Sequence, residues 1–315
     1  MEYRQLGASG LRVSVIGLGG NTFGRYVDEA GTAAIVSAAL EAGINFFDTA
    51  DIYSQGVSEE YLGRAIRDRR DDVLIATKVG MRAGERPNES GDSRKHVIES
   101  CERSLRRLGI EAIDLYQIHK FDPTTPQEET LSALDDLVRA GKARYIGCSQ
   151  YAAWQLTRGL WVSDRRNLAR FVSIQPEYNL LARDVERELV PCCLELGVGV
   201  IPFFPLAAGV LTGKYKPGEP PPPETRGSQS PGFEARLKRE TLETVQRLDA
   251  WARAHDHSVA ELALAWLAAQ PAVSTIIAGA RGPEQVTANA KAAEWKLTPY
   301  ELAEIDRLLA EPAGG

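Results

Sequence analysis

Short, nearly continuous apolar runs alternate along the chain with longer stretches whose apolar residues recur every three or four positions. Eight runs can be counted: residues 14–18, 44–47, 73–77, 113–118, 143–147, 171–174, 198–203 and 273–277. Their unbroken apolar character suits strands covered on both faces, as in a parallel sheet. The stretches between them read as amphipathic helices. Ile35, Ala38, Ala39 and Ala42 form one stripe that Gly43 stops; Val97, Cys101, Leu105 and Leu108 form another, closed by Gly109; Leu131, Leu134 and Val138 a third, closed by Gly141. Ser58, followed by Glu59 and Glu60, reads as an N-cap with acids in the first turn, and Ser258 with Glu261 and Thr298-Pro299 with Glu301 read as capping boxes.

Eight strand-helix units predict an α/β fold closed into a (β/α)₈ barrel, the TIM-barrel architecture. The open, doubly wound sheet is the alternative. Against it, no G-x-G-x-x-G follows the first strand, where the chain has only Gly17-Leu18-Gly19-Gly20. Two segments stand outside the alternation. Residues 1–13 read as a β-hairpin turning at Gly7-Ala8-Ser9-Gly10 and closing the barrel's N-terminal end. Residues 216–232, with four consecutive prolines, read as a long irregular loop after the seventh strand, on the face where barrel active sites lie. With no linker and no other repeat, residues 1–315 are read as one domain.

Composition narrows the function classes. Lys and Arg total 37 against 43 Asp and Glu, a formal charge of −6. So acidic a chain has no field for nucleic acid or an anionic membrane, and no run reaches the ~18 apolar residues of a membrane helix. The N-terminus lacks the basic-then-apolar order of a signal peptide. The four cysteines, Cys101, Cys148, Cys192 and Cys193, show neither CxxC nor metal-type spacing. They are expected to be free thiols in a reducing cytoplasm, and no metal site is expected.

Chemistry is expected at the C-terminal ends of the strands. There the chain places Gly20 and Asn21, then Asp48 with Tyr53 five residues on, Lys78, His119, Ser149 with Gln150, Gln175, Phe203-Phe204-Pro205, and Gly279-Ala280-Arg281. Asp48, Tyr53, Lys78 and His119 form a working set for proton transfer to a carbonyl. Tyrosine ionises near pH 10; a neighbouring ammonium, Lys78, is expected to lower that value, Asp48 to balance the lysine, and His119 to orient the carbonyl.

At these residues the chain resembles the aldo-keto reductase superfamily, in the bacterial branch that also resembles potassium-channel β subunits. The resemblance runs from about Glu2 to about Leu309. It is carried by Tyr3-Arg4-Gln5-Leu6-Gly7, by residues 45–53 (NFFDTADIY), 75–78 (IATK), 114–119 (DLYQIH), 141–147 (GKARYIG) and 175–179 (QPEYN), and by Leu211-Thr212-Gly213-Lys214-Tyr215. It implies a catalytic tetrad of Asp48, Tyr53, Lys78 and His119, with Tyr53 as general acid, and NADPH as cofactor, NADH being the alternative. It further implies that Ser149, Gln150 and Gln175 bind the nicotinamide carboxamide and that Phe203 stacks on the ring. Leu206, Gly209, Leu211 and Lys214 would cross the pyrophosphate. The segment Gly279 to Asn289 would hold the adenosine phosphate, with Pro283 opening a helix, Arg281 on the 2′-phosphate, and Gln285 and Asn289 on the adenine side. Gln150, Phe204 and Ala288 depart from the family's usual asparagine, serine and glutamate.

The reading is therefore an enzyme that reduces aldehydes or ketones to alcohols by hydride transfer from NADPH. Its substrate is a small carbonyl compound bound by Phe23, Tyr53, His119, Tyr151 and the loops near 24–30, 81–92 and 216–232. Arg82 and Arg86 read as solvated loop residues, with an anionic substrate the alternative. A second reading is an NADP(H)-binding regulatory subunit with slow turnover. A third, a Schiff-base aldolase on Lys78, is disfavoured because a reactive lysine does not want a carboxylate partner.

Overall fold

The barrel is built from short parallel strands whose side chains alternate between two cores. The computed structural model describes residues 1–223, 225–229 and 232–311. An antiparallel hairpin, β1 (Tyr3–Gln5) and β2 (Arg12–Ser14), comes first. Eight parallel strands follow: β3 (Ile16–Gly19), β4 (Phe46–Asp48), β5 (Leu74–Val79), β6 (Ile113–Ile118), β7 (Ala143–Ser149), β8 (Phe171–Gln175), β9 (Gly199–Val200) and β10 (Ile276–Gly279). They pair in chain order, and β10 returns to pair with β3. A bridge between Val200 and Val273, with Ser274 N–H donating to Val200 O at 2.9 Å, closes the ring.

Around the strands lie α1 (Glu29–Glu41), α2 (Val57–Ala65), α3 (Arg94–Leu108), α4 (Gln127–Arg139), α5 (Ala153–Arg166), α6 (Leu189–Leu196), α7 (Arg226–Gln229), α8 (Arg239–Ala254), α9 (Val259–Ala268), α10 (Pro283–Ala292) and α11 (Pro299–Ala310). Among the described residues no helix is long and apolar enough to cross a membrane. The three glycine-stopped stripes fall on α1, α3 and α4, and both capping boxes open their helices, α9 and α11. Ser58 is not a cap. Gly56 precedes α2, and the Ser58 hydroxyl is buried, donating to Gly20 O at 2.8 Å beside Thr49 Oγ1.

The seventh and eighth strands are shorter than the apolar runs predict. Pro202 has no N–H to give the ladder, so β9 ends at Val200, and only an isolated bridge from Phe203 to Glu177 resumes the pairing. The loop at 216–232 is not wholly irregular: α7 lies within it, and Gly227 N–H donates to the Tyr215 hydroxyl at 3.2 Å. Glu224, Ser230 and Pro231 of that loop lie outside the described residues.

Strand alternation sorts the core into two parts. Residues facing the helices make the larger one, around Ile75, Tyr116, Ile146 and Ile174. Those facing the barrel axis make a small one: Phe46, Ala76, Leu115, Ile201 and Ile277, sealed from below by Leu6 and Val13 of the hairpin. The hairpin docks through its turn. Gly7 has φ +57°, and a Cβ there would meet Gly197 O, Gly199 N and Val172 O at 2.5–2.6 Å. Gly10, in the same turn, has open space. Gly7→Ala is therefore expected to lower the unfolding free energy by about 2 kcal/mol or more, combining overpacking with a left-handed backbone. Gly10→Ala is expected to stay within about 0.5 kcal/mol of the wild type. Urea unfolding of the two variants, followed by circular dichroism, checks the contrast.

Candidate active site

Two residues above the axial core, the same alternation turns polar. Phe46 is followed by Asp48, Ala76 by Lys78, Leu115 by Gln117 and Ser173 by Gln175, each stepping up one strand toward its C-terminal end. The layer is closed: Lys78 is fully buried and Asp48 is 3% exposed. Lys78 Nζ donates to Asp48 Oδ2 at 2.5 Å and to Thr49 O at 2.9 Å. The other carboxylate oxygen, Oδ1, accepts from Gln175 Nε2 at 2.9 Å and from Gln117 Nε2 at 3.2 Å. The sequence reading missed Gln117. Its signal was the period-two step from Leu115, which aims it at the axis.

Tyr53 and His119 cap this layer. Tyr53 begins a tight turn, residues 53–56, in which Ser54 and Gln55 take left-handed φ values of 49° and 57°. Strained backbone of this kind persists only where the surroundings hold it; here Ser54 Oγ donates to Phe23 O at 2.8 Å. The Tyr53 ring lies with its centroid 5.2 Å from Lys78 Nζ and meets the His119 ring edge-on at 5.9 Å. His119 N–H is fixed by Val79 O at 2.7 Å, and its buried Nδ1 has no partner among the described residues.

Burial sets the protonation states. It drives the His119 pKa down to about 3, with the Lys78 charge adding to the effect, so the imidazole is neutral at ordinary pH. Burial also opposes charge on Lys78, but Asp48 and then Tyr53 outweigh it, and the ammonium is held above its usual range. Tyr53 departs from expectation. Lys78 does pull its pKa down, but burial is stronger and the net shift is upward. Asp48 adds to the burial: it pairs with the lysine and itself disfavours a phenolate.

A cavity of about 540 Å³ opens over this layer, a size ordinary for small-molecule and cofactor sites. Asp48, Tyr53 and His119 line its floor, with Asn21, Ser149, Gln150 and Gln175 beside them. Ser149 Oγ donates to Gln175 O at 2.7 Å and Gln150 Nε2 to His119 O at 3.2 Å. Phe203, Phe204, Pro205 and Leu206 form one wall, and Gly209 and Lys214 continue it. Gly209 has φ +103°, and its missing side chain leaves room next to Lys214 Nζ. Gly279, Arg281 and Gln285 line the far end, where Pro283 opens α10 and the Gln285 side chain accepts from Arg281 N–H at 2.7 Å. Thr225 and Arg226, from the proline-rich loop, also line the cavity. No local pattern in the sequence singled them out.

Other expected site residues are not at the surface of this cavity. Gly20 lies beneath it, its N–H donating to Asp48 O, and Leu211 is fully buried. Asn289 sits a turn beyond Gln285 on α10 and does not reach the lining. Phe23 and Tyr151, expected to touch substrate, are 1% and 5% exposed and belong to the core. Tyr151 packs edge-on between Phe121 and Phe171, where aromatic burial is worth more than exposure at a cleft. Arg86 is paired with Glu89 at 2.5 Å, and neither Arg82 nor Arg86 lines the cavity.

Asp51, close behind the site, is a second residue the sequence reading left aside. It is 5% exposed, and its carboxyl meets no side-chain donor. Burial, with Glu59 adding to it, pushes the pKa up to about 7 against the pull of Arg107 and Arg103. An acid raised from about 4 to about 7 on folding binds a proton in the folded state that the unfolded chain has released. Its effect on stability therefore worsens as pH rises through that window and is constant above it. Asp51→Asn is expected to gain stability over the wild type progressively from about pH 4 to about pH 7. Paired thermal melts across that range check the sign.

Known proteins bear the geometry out at the level of family. Residues 15–310 match the aldo/keto reductase family. A protein of Oryza sativa subsp. japonica named as a probable voltage-gated potassium channel subunit beta is 39% identical over 98% of this chain and 97% of its own length. L-glyceraldehyde 3-phosphate reductase of Escherichia coli (strain K12) is 35% identical over 99% and 93%. Versiconal hemiacetal acetate reductase of Aspergillus parasiticus is 33% identical over 97% and 96%. With nearly the whole chain matched and a cavity opening over a buried Asp-Lys pair, the protein belongs to the aldo/keto reductase family.

Proposed function

We propose that the protein is an NADPH-dependent reductase of aldehydes and ketones, with Tyr53 as the proton donor. The observation that carries this is the placing of one neutral, protonated phenol and one neutral imidazole on the floor of a cavity where Asp48, the one carboxylate among its described lining residues, is already bonded to Lys78. The cavity also fits a dinucleotide phosphate. Lys214 beside the bare Gly209, Arg226 and Arg281 are cations spaced along it, and Phe203 offers a π-face near its floor. Ser149, Gln150 and Gln175 would face the carboxamide and Arg281 the 2′-phosphate. Bound there, the nicotinamide supplies a hydride to the carbonyl carbon.

The chain's own part is to bind, orient and protonate. Tyr53 O–H donates to the carbonyl oxygen as negative charge builds on it. Lys78, held charged by Asp48, stabilises the phenolate left behind. Burial prevents Tyr53 from ionising before it is needed, so it is a proton donor throughout the neutral range. His119, neutral, orients the oxygen without competing for the proton. The four cysteines, free in the structure, suit a reducing cytoplasm. The rice relative favours a second reading, a nucleotide-binding regulatory subunit with slow turnover, and turnover separates the two.

Tyr53→Phe is expected to lower kcat by about 10²–10⁴ with the fold and NADPH affinity retained, the range typical for loss of a general acid. NADPH consumption with an aldehyde panel is the measurement; undiminished turnover would remove Tyr53 from the donor role. The wild-type kcat for reduction is expected to be flat from about pH 6 to about pH 9, because Tyr53 ionises above that range and His119 below it. Arg281→Ala is expected to raise KM for NADPH about tenfold or more while changing KM for NADH less than about threefold; equal losses for both cofactors would mean that Arg281 does not meet the 2′-phosphate.

A further inference from the structure

A second cavity is bordered by Tyr53 but not by Asp48 or Gln175. It shares Asn21, Tyr53, Phe204, Ala208 and Arg226 with the first, and adds Ile52, Phe233, Arg25 and Arg236. Three guanidiniums and no carboxylate stand among its described lining residues. In a chain of net charge −6 this is a local inversion of sign.

All three arginines lie against aromatic rings, and only Arg236 also has an acid partner among the described residues. Arg226 and Arg236 lie 5.8 and 5.7 Å from the centroid of Phe204, and Arg25 lies 4.9 Å from that of Tyr26. A ring face positions a guanidinium but does not neutralise it. Among the described residues no carboxylate pairs with Arg25 or Arg226; Arg236 has Glu177 at 2.9 Å, which lies outside this cavity. Ile52 and Phe233 give the wall an apolar part that suits a short carbon chain, beside the polar Ser54 and Gln55. Phe204 itself has a left-handed backbone, φ +53°, and its ring is near both guanidiniums.

We propose that this second cavity is an anion pocket for the substrate, and that the preferred substrates are aldehydes bearing a carboxylate or phosphate ester remote from the carbonyl. Arg25 and Arg236 hold the anion with Arg226, while the carbonyl reaches Tyr53. The proposal rests on the reductase reading. Arginine is suited to the task because its planar fork meets either oxyanion with two parallel hydrogen bonds. Arg226 borders both cavities and so is shared with the cofactor side, whereas Arg25 and Arg236, the latter also bordering a separate cleft with Glu177, line the second and not the first. They are therefore the residues that separate substrate binding from cofactor binding.

The test compares matched pairs: succinic semialdehyde with butanal, 4-carboxybenzaldehyde with its methyl ester, and glyceraldehyde 3-phosphate with glyceraldehyde. The wild type is expected to favour the charged member about tenfold or more in kcat/KM. Arg25→Gln and Arg236→Gln are each expected to cut that ratio about fivefold or more, through KM rather than kcat, with the NADPH Kd from fluorescence titration within about twofold of wild type. The carboxylate and phosphate pairs show which oxyanion is favoured. A ratio near one in the wild type, or a ratio that survives both substitutions, overturns the proposal, as does an equal loss of NADPH affinity, which would assign these arginines to the cofactor. Calorimetric binding of 4-hydroxybutyrate and of 1-butanol to the NADP⁺-loaded protein provides a readout independent of turnover. If no aldehyde is reduced but 4-hydroxybutyrate binds and Arg25→Gln weakens it, the reductase reading fails and the anion pocket stands. If 4-hydroxybutyrate binds no better than 1-butanol, the pocket fails.

Discussion

The buried ion pair between Lys78 and Asp48 is the interaction around which the rest of the site is arranged. Two charges removed from water at the top of a barrel cost several kcal/mol each unless every hydrogen-bonding position is used. The structure offsets that cost with shared partners: Lys78 meets Asp48 and Thr49 O, and Asp48 meets Lys78, Gln117 and Gln175. The partners come from four different strands and the turn after one of them. Any slip in strand register would break the set, so the chemistry of the layer and the closure of the barrel depend on each other. Breaking such a pair from one side costs about 3–5 kcal/mol in general, which makes this layer a structural keystone as well as a chemical one.

The consequences for Tyr53 follow directly. A lone ammonium would lower its pKa, but this ammonium is already balanced, and burial then raises the phenol above its usual value. The same burial holds His119 neutral. Tyr53 and His119 are thus both uncharged, while Asp48, beside them on the cavity floor, is balanced by the buried Lys78. For reducing a neutral carbonyl this ordering is sensible, because charge is needed only as the alkoxide develops.

The cavity walls show a different principle, the use of aromatic faces in place of acids to hold cations. Phe204 supports Arg226 and Tyr26 supports Arg25, while Arg236, also against Phe204, is shared with Glu177. An arginine paired with a carboxylate presents little net charge to a ligand, while one packed on a ring keeps its charge. Phe204 stands where the resemblance leads one to expect serine. The substitution gives up one hydroxyl and gains the surface on which two guanidiniums rest.

Much of this was legible in the sequence because it is local. The eight apolar runs, the capping boxes at Ser258 and Thr298, the stops at Gly43, Gly109 and Gly141, and the appearance of Asp48, Lys78 and His119 at or just past strand ends all depend on a few neighbouring residues. Gln117 was within reach by the same rule, since period-two alternation from Leu115 aims it at the axis. What the chain could not reveal by itself depends on distant segments meeting. Phe23 and Tyr151 look like cleft residues by position, yet neighbours far along the chain bury them. Pro202 shortens β9, and whether that matters depends on the partner strand. The sign of the Tyr53 shift is set by the balance between burial and a lysine already paired through space. The convergence of Arg25 with Arg226 and Arg236 joins two connections separated by some two hundred residues, and only the closed barrel brings them to one wall.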